Sequence, residues 1–321
     1  IPVRSGGTFA NWQGLIPGHT SQTLWSKTHP YQDLPRVLDP PSGWLQNAND
    51  PPWSTTLPQP LNPKNYPAYF APPGPISLRA QRSIQLLTTD PKLSLETMVA
   101  YKHSTRMALA DRLLDDLIPA AQQSGNALAR QAAAVLARWD RNANADSRGA
   151  VLFNNWFEAM DSDTLFARPW TPSAPLTTPD GLADPKAAVH TLERVARTLR
   201  DRSGSLDIAW GNVFRFRSPT EERPANGGYG DLGIFRTIDF AADDAGGYRA
   251  VGGDSFVAAI EFSNPVSAKV LLGYGNVTQP DVSGSSTQFA EMESKRLRKA
   301  LRSRSDIEQH LASSERLNPQ F

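Results

Sequence analysis

Through the middle of the chain apolar residues recur at three- and four-residue spacing, and after Gly204 the period drops to two. The first rhythm predicts helices. Ile76 to Leu87 carries one, and Ser94, suited to an N-cap, opens a second whose stripe runs through Leu95, Met98, Val99, Leu109, Leu113 and Leu117. Leu128, Ala132, Val135, Leu136 and Trp139 mark a third; Leu152, Trp156 and Met160 mark a fourth, begun at Asp146 or Ser147. Asp184-Pro185 reads as a cap followed by a first-turn proline, ahead of the Val189, Leu192, Val195, Leu199 stripe of a fifth. Each stripe is most simply a core face. The second rhythm predicts strands at Val213–Phe216, Leu232–Phe240, Tyr248–Val251, Ser255–Phe262 and Ala268–Leu272. In Ser255–Phe262, the side chains of Phe256, Ala258, Ile260 and Phe262 fall on one face. Helix returns over Thr287–Leu301, with a short one after Asp306.

Residues 1–75 follow neither rhythm. They are rich in Trp, Pro and Gly, with short strand-like runs such as Arg36-Val37-Leu38, and nine prolines fall between Pro51 and Pro75. Trp53, Tyr66, Tyr69 and Phe70 in that proline-rich run argue for an ordered segment packed on a surface. The chain therefore divides into a strand segment at 1–75, a helical region at 76–203, and a β-rich region with closing helices at 204–321. Grouped strands and grouped helices predict an α+β fold with a helical middle region and a C-terminal antiparallel strand region, as opposed to alternating βαβ units.

Composition narrows the functional classes. With 321 residues the chain can bury a substantial core. Its 33 basic and 32 acidic residues leave a net charge of +1, which makes no electrostatic case for nucleic acid. No run approaches the roughly 18 apolar residues of a membrane span. The absence of cysteine excludes disulfides, thiolate metal sites and cysteine nucleophiles. His19, His29, His103, His190 and His310 show no metal-ligand spacing. Gly228 to Gly233 matches G-x-G-x-x-G, but a loop precedes it and a strand follows, the reverse of the dinucleotide-binding order. The basic cluster from Lys295 to Arg304 reads as a solvated face. The first residue is Ile1 and no charged-then-apolar leader precedes the fold, so the chain is expected to be a piece of a longer product.

Candidate chemistry concentrates in the stretch from Pro41 to Trp53. Pro41 and Gly43 call for a turn, Trp44-Leu45 for a brief strand, and Pro51-Pro52 for a stop. Asn47 and Asn49 lie between, and on a strand their amides would point the same way. A carboxamide held between prolines can aim an N–H at a developing oxyanion; it can equally bond its own turn.

The ordered combination Phe9-Ala10-Asn11-Trp12-Gln13-Gly14-Leu15-Ile16-Pro17-Gly18, Asp33-Leu34-Pro35 and Pro40-Pro41-Ser42-Gly43-Trp44-Leu45-Gln46-Asn47-Ala48-Asn49 resembles the β chain of penicillin-amidase-type acylases. That group takes in penicillin acylases, acyl-homoserine-lactone acylases and aculeacin-type acylases. Arg138-Trp139-Asp140 with Asp146-Ser147, Gly252 to Val257, and Leu272 to Asn276 are similar to later segments of it. The resemblance implies that the chain is the C-terminal part of such a β chain, within the αββα layered fold of N-terminal-nucleophile hydrolases. It implies an oxyanion role for Asn49 and a place near the substrate pocket for Arg79, with Arg82 its competitor. Trp44, Ala48 and Trp53 become candidate walls of an acyl pocket, with core packing the alternative for each.

The family's nucleophile is a newly exposed serine followed by asparagine. Ser5 precedes Gly6, and Ser263-Asn264 sits before Pro265 at a strand end, where a turn is expected. The resemblance thus places the nucleophile upstream, outside this chain, and predicts that the chain alone is inactive. Its partners would be the α chain and the N-terminal part of the β chain, its substrate a small acyl amide, its location periplasmic or secreted. Penicillin acylases also bind a structural calcium through a β-chain aspartate; the matching position here is near Ala68, and no carboxylate occurs between Pro51 and Arg79, so no cofactor is expected. In the family a histidine-containing loop often precedes the last helix; here the matching stretch, Asp281 to Ser286, has none. Two other classes remain open: an aromatic-rich module binding glycans or peptides, and a structural fragment completed only by its partner.

Overall fold

The helical rhythm becomes a bundle in the structure, a computed structural model that describes residues 1–218, 221–244, 246–275 and 285–317. The helices are α1 (Leu78–Thr89), α2 (Leu95–Lys102), α3 (Ala108–Gln122), α4 (Ala127–Arg138) and α5 (Ala150–Glu158), and, after a small hairpin of β1 (Phe166–Arg168) and β2 (Asp180–Leu182), α6 (Pro185–Ser203). The caps are where the sequence puts them. Ser94 accepts from Thr97 N–H at 3.1 Å, and Asp184 from Lys186 and Ala187 N–H, both at 3.0 Å. The apolar stripes of α3, α4, α5 and α6 meet in one core with Leu109, Leu113, Leu114, Leu136, Phe153, Trp156 and Leu192 fully enclosed. Trp156 joins that core without leaving its indole N–H unpaired, donating to Ala188 O at 3.0 Å.

The strand region follows: α7 (Trp210–Val213), β3 (Phe214–Arg217), β4 (Glu222–Pro224), β5 (Ile238–Ala242), β6 (Tyr248–Gly253), β7 (Phe256–Glu261) and β8 (Ser267–Leu272). After them come α8 (Ser285–Glu293), β9 (Arg298–Lys299) and α9 (Arg304–Gln309). One sheet has the order β4-β3-β6-β5 and a second the order β7-β8-β9. Expected as antiparallel, the first sheet is mixed, because β3 and β6 run parallel with Phe214 opposite Tyr248. A stack of rings ties it to the helices: Trp210 lies 3.7 Å from Phe214 at 10°, and Phe214 lies 4.8 Å from Tyr248. The α+β class stands.

Several boundaries differ from the sequence pattern for local reasons. The stripe from Leu95 to Leu117 is two helices, because residues 105–107 leave the helix to pair with 141–143: Met107 N–H donates to Arg141 O and Ala143 N–H to Thr105 O. α5 starts at Ala150, not at Asp146 or Ser147, since the Ser147 hydroxyl accepts Asn144 N–H and Arg148 bridges to Ala209 before the helix opens. The Leu232–Phe240 strand begins only at Ile238; Gly233 interrupts it at φ +73°, where a Cβ would come 2.6 Å from Ala108 Cβ. The Thr287–Leu301 helix stops at Glu293, and Arg298–Lys299 joins β8 instead. Residues 1–75 hold no strand longer than the Pro2–Thr28 bridge: Trp44-Leu45 and Arg36–Leu38 find no partner among the described residues, and single 3-10 turns carry the path. That segment has a small core of its own, Trp53, Leu61 and Ala71 with Val37 and Tyr66. Residues 276–284, including Asn276 and most of the Asp281–Ser286 stretch, lie outside the described residues.

Two outcomes follow for stability. Leu113→Ala, at a side chain with no exposure, should cost about 2–5 kcal/mol in a urea titration, whereas Leu38→Ala on the surface should stay within about 0.5 kcal/mol. His103 is buried at the end of α2, and burial, reinforced by the Arg236 charge, lowers its pKa from 6.5 to about 4. The unfolded chain then binds one more proton than the folded one between those values, so stability falls as pH drops from 6.5 toward 4 and is insensitive to this group above 6.5. His103→Gln should flatten that part of the profile, read as urea midpoints at neutral and mildly acidic pH.

Candidate functional site

The turn from Asn47 to Asp50 is built by its own side chains. Asn47 Oδ1 accepts from Asn49 N–H at 2.9 Å and Asn47 Nδ2 donates to Asp50 O at 3.2 Å. Asp50 Oδ1 accepts from Ala48 N–H at 2.7 Å, while its Oδ2 accepts from Gln46 Nε2 at 3.1 Å and from the Ser54 hydroxyl. Asn49 occupies the left-handed region at φ +63°, which asparagine tolerates better than most residues with a Cβ. The two asparagines therefore part company: Asn47 bonds its own turn, and Asn49 reaches out of it.

What Asn49 meets is Arg79, the second residue of α1. Arg79 Nη2 donates to Asn49 Oδ1 at 2.8 Å and also to Ala48 O, and Nη1 donates to Thr237 Oγ1 at 3.1 Å. A guanidinium has only donors, so the contact fixes which end of the carboxamide faces it. The Asn49 NH2 group is thereby turned away, and among the described residues it has no hydrogen-bond partner. The same contact polarises the amide, which strengthens Nδ2–H as a donor. Arg79 makes no ion pair among the described residues; all three of its acceptors are neutral. A cation in the first turn of a helix gains nothing from the helix dipole, so these acceptors hold it there.

Ala48, Asn49 and Arg79 line one open cleft of about 580 Å³, with Ser77, Tyr229 to Asp231, Thr237, Asp239, Gly253 and Asp254. Gly253 sits at φ +101° with Thr237 O only 2.3 Å from where a Cβ would stand, so any larger residue displaces the threonine that carries Arg79. Asp254 pairs with Lys102 at 2.5 Å. Burial pushes the Tyr229 phenol well above its usual range, and its hydroxyl donates to Phe240 O at 3.2 Å, which keeps it neutral. The Ser77 hydroxyl caps α1 by accepting Ala80 N–H. No histidine or lysine lines the cleft. It offers hydrogen-bond donors to a developing negative charge, and among the described residues none of its hydroxyls is hydrogen-bonded to one of its carboxylates, Asp231, Asp239 and Asp254.

The remaining candidates fall elsewhere. Trp53 is buried in the small core of residues 1–75, its indole donating to Pro72 O at 3.0 Å, and Trp44 is half-buried outside the cleft lining. Arg82 donates to Ser104 Oγ at 3.2 Å, away from Asn49. Ser263 turns its hydroxyl to Pro265 O in the β7–β8 hairpin. Around Ala68 the carbonyl is taken by Phe9 N–H and the neighbours are the Tyr66, Tyr69 and Phe70 rings. Those residues do not fit a calcium ion, which wants several oxygen ligands with carboxylates among them. Thr237 went unnoticed in the sequence, and Gly253 and Asp254 entered only within the Gly252 to Val257 resemblance, with no place at this site. All three lie more than 150 residues beyond Arg79, and only the fold of β5 against β6 delivers them.

Comparison with known proteins bears on this geometry. A sequence model of the family described as penicillin amidase matches residues 1–309. The chain is 27% identical over 265 residues to the acyl-homoserine lactone acylase PvdQ of Pseudomonas fluorescens, covering 77% of this chain and 33% of that protein. It is 26% identical over 145 residues to the penicillin acylase 2 proenzyme of a Pseudomonas species, covering 45% of this chain and 17% of the relative. The chain thus spans a third or less of the length of these relatives. Among solved structures, a thermostable penicillin G acylase from Alcaligenes faecalis superposes with a TM-score of 0.51 at 14% identity, covering 92% of this chain and 60% of that one.

Proposed function

We propose that this chain, which belongs to the penicillin amidase family, supplies the oxyanion-binding side of an acylase active site whose serine nucleophile comes from another part of the same precursor. One observation carries the reading: Asn49 lines an open cleft, is clamped through Oδ1 by Arg79 at 2.8 Å, and its NH2 has no partner among the described residues. The names of the relatives support amide hydrolysis, and the word proenzyme in one of them supports a cut precursor.

On this reading the substrate is a small acyl amide, its acyl group carried on a β-lactam, a homoserine lactone or a lipopeptide amine. The serine hydroxyl attacks the amide carbonyl while the serine's own α-amine, with a pKa near 7.7–8.0, takes the proton. The carbonyl oxygen becomes an oxyanion and accepts from Asn49 Nδ2–H, with the Arg79 charge behind that amide. Collapse expels the amine, which receives the proton back, and leaves an acyl ester that water hydrolyses by the same steps. Every group in this scheme is a side chain or an α-amine, so no cofactor enters. The partners are the α chain and the N-terminal part of the β chain, and the location is periplasmic or secreted. Among the described residues no helix is long and apolar enough to cross a membrane. The aromatic-platform alternative has less to draw on, because Trp53, Trp139, Trp156 and Trp210 are all buried.

In the complete enzyme, Asn49→Ala should lower kcat by about 10²–10³ with KM nearly unchanged, the signature of a donor used in the transition state. Asn47→Ala is the control and should retain most activity; equal losses from both would remove Asn49 from the site. Arg79→Lys keeps the charge but cannot span three acceptors, and should cost at least about tenfold in kcat. The 321-residue chain alone should release no amine from phenylacetyl- or fatty-acyl-nitroanilides, and turnover by it would overturn the divided site.

A further inference from the structure

Beside the cleft runs an apolar groove of about 410 Å³. One wall is Leu86 of α1 with Leu95 and Met98 of α2; the other is β7, where Val257 through Glu261 all line it. Side chains alternate between the faces of a strand, so consecutive residues share one groove only where it follows the strand's edge. β7 is the outer strand in the order β7-β8-β9, and among the described residues no strand pairs with its other edge.

The register says which groups are left over. Gly273 N–H donates to Ser255 O at 2.6 Å. Counting in twos from there, Val257 opposite Leu271 and Ala259 opposite Lys269 are the bonded pairs. The N–H and C=O groups of Phe256, Ala258 and Ile260 therefore point out of the free edge. The side chains of those residues lie on a face open to solvent, with Phe256 64%, Ile260 52% and Phe262, just past the strand, 89% exposed. Edge strands in stable monomers are usually guarded by a charge or a proline. From Phe256 to Ile260 the sequence is Phe-Val-Ala-Ala-Ile, and the guard is absent until Glu261.

We propose that the free edge and open face of β7 receive an extended apolar segment from the upstream part of the same precursor, which joins the sheet as its next strand. This rests on the precursor reading above, under which the larger share of the polypeptide lies outside this chain, as its 33% coverage of the lactone-acylase relative suggests. Main-chain bonds to Phe256, Ala258 and Ile260 set the register, and alternate side chains cover Phe256, Ile260 and Phe262. Leu45, Gln46 and Asn47 also line the groove. A strand laid along β7 therefore passes the Asn47–Asp50 turn, and brings upstream polypeptide toward the cleft where Asn49 lacks its nucleophile.

The test uses the complete precursor product. Hydrogen–deuterium exchange is read on the amides of Phe256, Ala258 and Ile260; they should exchange at least about tenfold slower than amides of exposed turns. In Ala258→Cys, the introduced thiol carrying a photoactivatable maleimide should cross-link to an upstream peptide. Exchange at the rate of exposed turns, or a cross-link joining two copies of this chain, overturns the proposal. Absence of any upstream coding segment would instead fail the precursor reading itself. Ile260→Lys keeps the question open to a stability readout: it should leave α3 to α6 protected while speeding exchange along β7, and unchanged exchange there would count against a covering strand.

Discussion

Arg79 carries a full positive charge on three neutral acceptors, and the site depends on that arrangement. Among the described residues, the only hydrogen bonds that tie residues 1–75 to the rest of the chain are its bonds to Ala48 and Asn49. Its third bond, to Thr237, runs to the loop ahead of β5. One guanidinium thus joins a segment without regular structure, the start of a helix and the edge of a sheet. A carboxylate partner would have satisfied the charge more fully, but it would have neutralised the charge that polarises the Asn49 amide. Using a carbonyl, an amide oxygen and a hydroxyl leaves the charge available to the cleft.

Rigidity of the donor has a second source. The Asn47–Asp50 turn is closed by bonds within itself, so Asn49 needs no substrate and no nucleophile to adopt its conformation. On the proposed reading, a donor ordered in advance loses no free energy to reorganisation when the oxyanion forms, which is where such groups gain over water. The acidic residues around the cleft do not undo this. Asp254 is paired with Lys102, and Asp231 and Asp239 stand at the exposed rim where solvent screens them.

Legibility in the sequence followed how local each cause was. Asp184 and Ser94 announce their helices because a cap acts within three residues, and the stripes of α3, α4 and α6 repeat at a fixed period. The α+β class followed from the order of those rhythms. The break between α2 and α3 was invisible, because it is made by pairing with residues 141–143, whose hydrogen bonds win over a helical stripe. Residues 1–75 carry short strand-like runs such as Arg36-Val37-Leu38, yet the prolines and tight turns leave no ladder to join. At the site, Asn49 and Arg79 stood out only as part of a resemblance, since N-x-N and an arginine in a first turn are common. Thr237 had no local mark at all, and Gly253 stood only inside the Gly252 to Val257 resemblance; their roles arise from where β5 and β6 meet α1.

The distribution of apolar side chains separates what this chain completes from what it leaves open. The core around Leu113, Phe153, Trp156, Trp210 and Phe214 is closed on all sides, drawing on α3 to α6 and the β3–β6 sheet. β7 is different: Val257 is buried but stands apart from that core, while the alternate positions Phe256 and Ile260 remain uncovered. A strand with one apolar face packed and the other bare has half of the burial that apolar residues on both faces call for. Because the closed core does not draw on those bare residues, its stability does not require them to be covered. The two properties can therefore vary independently, and an interface can be gained or lost at β7 without melting α3 to α6.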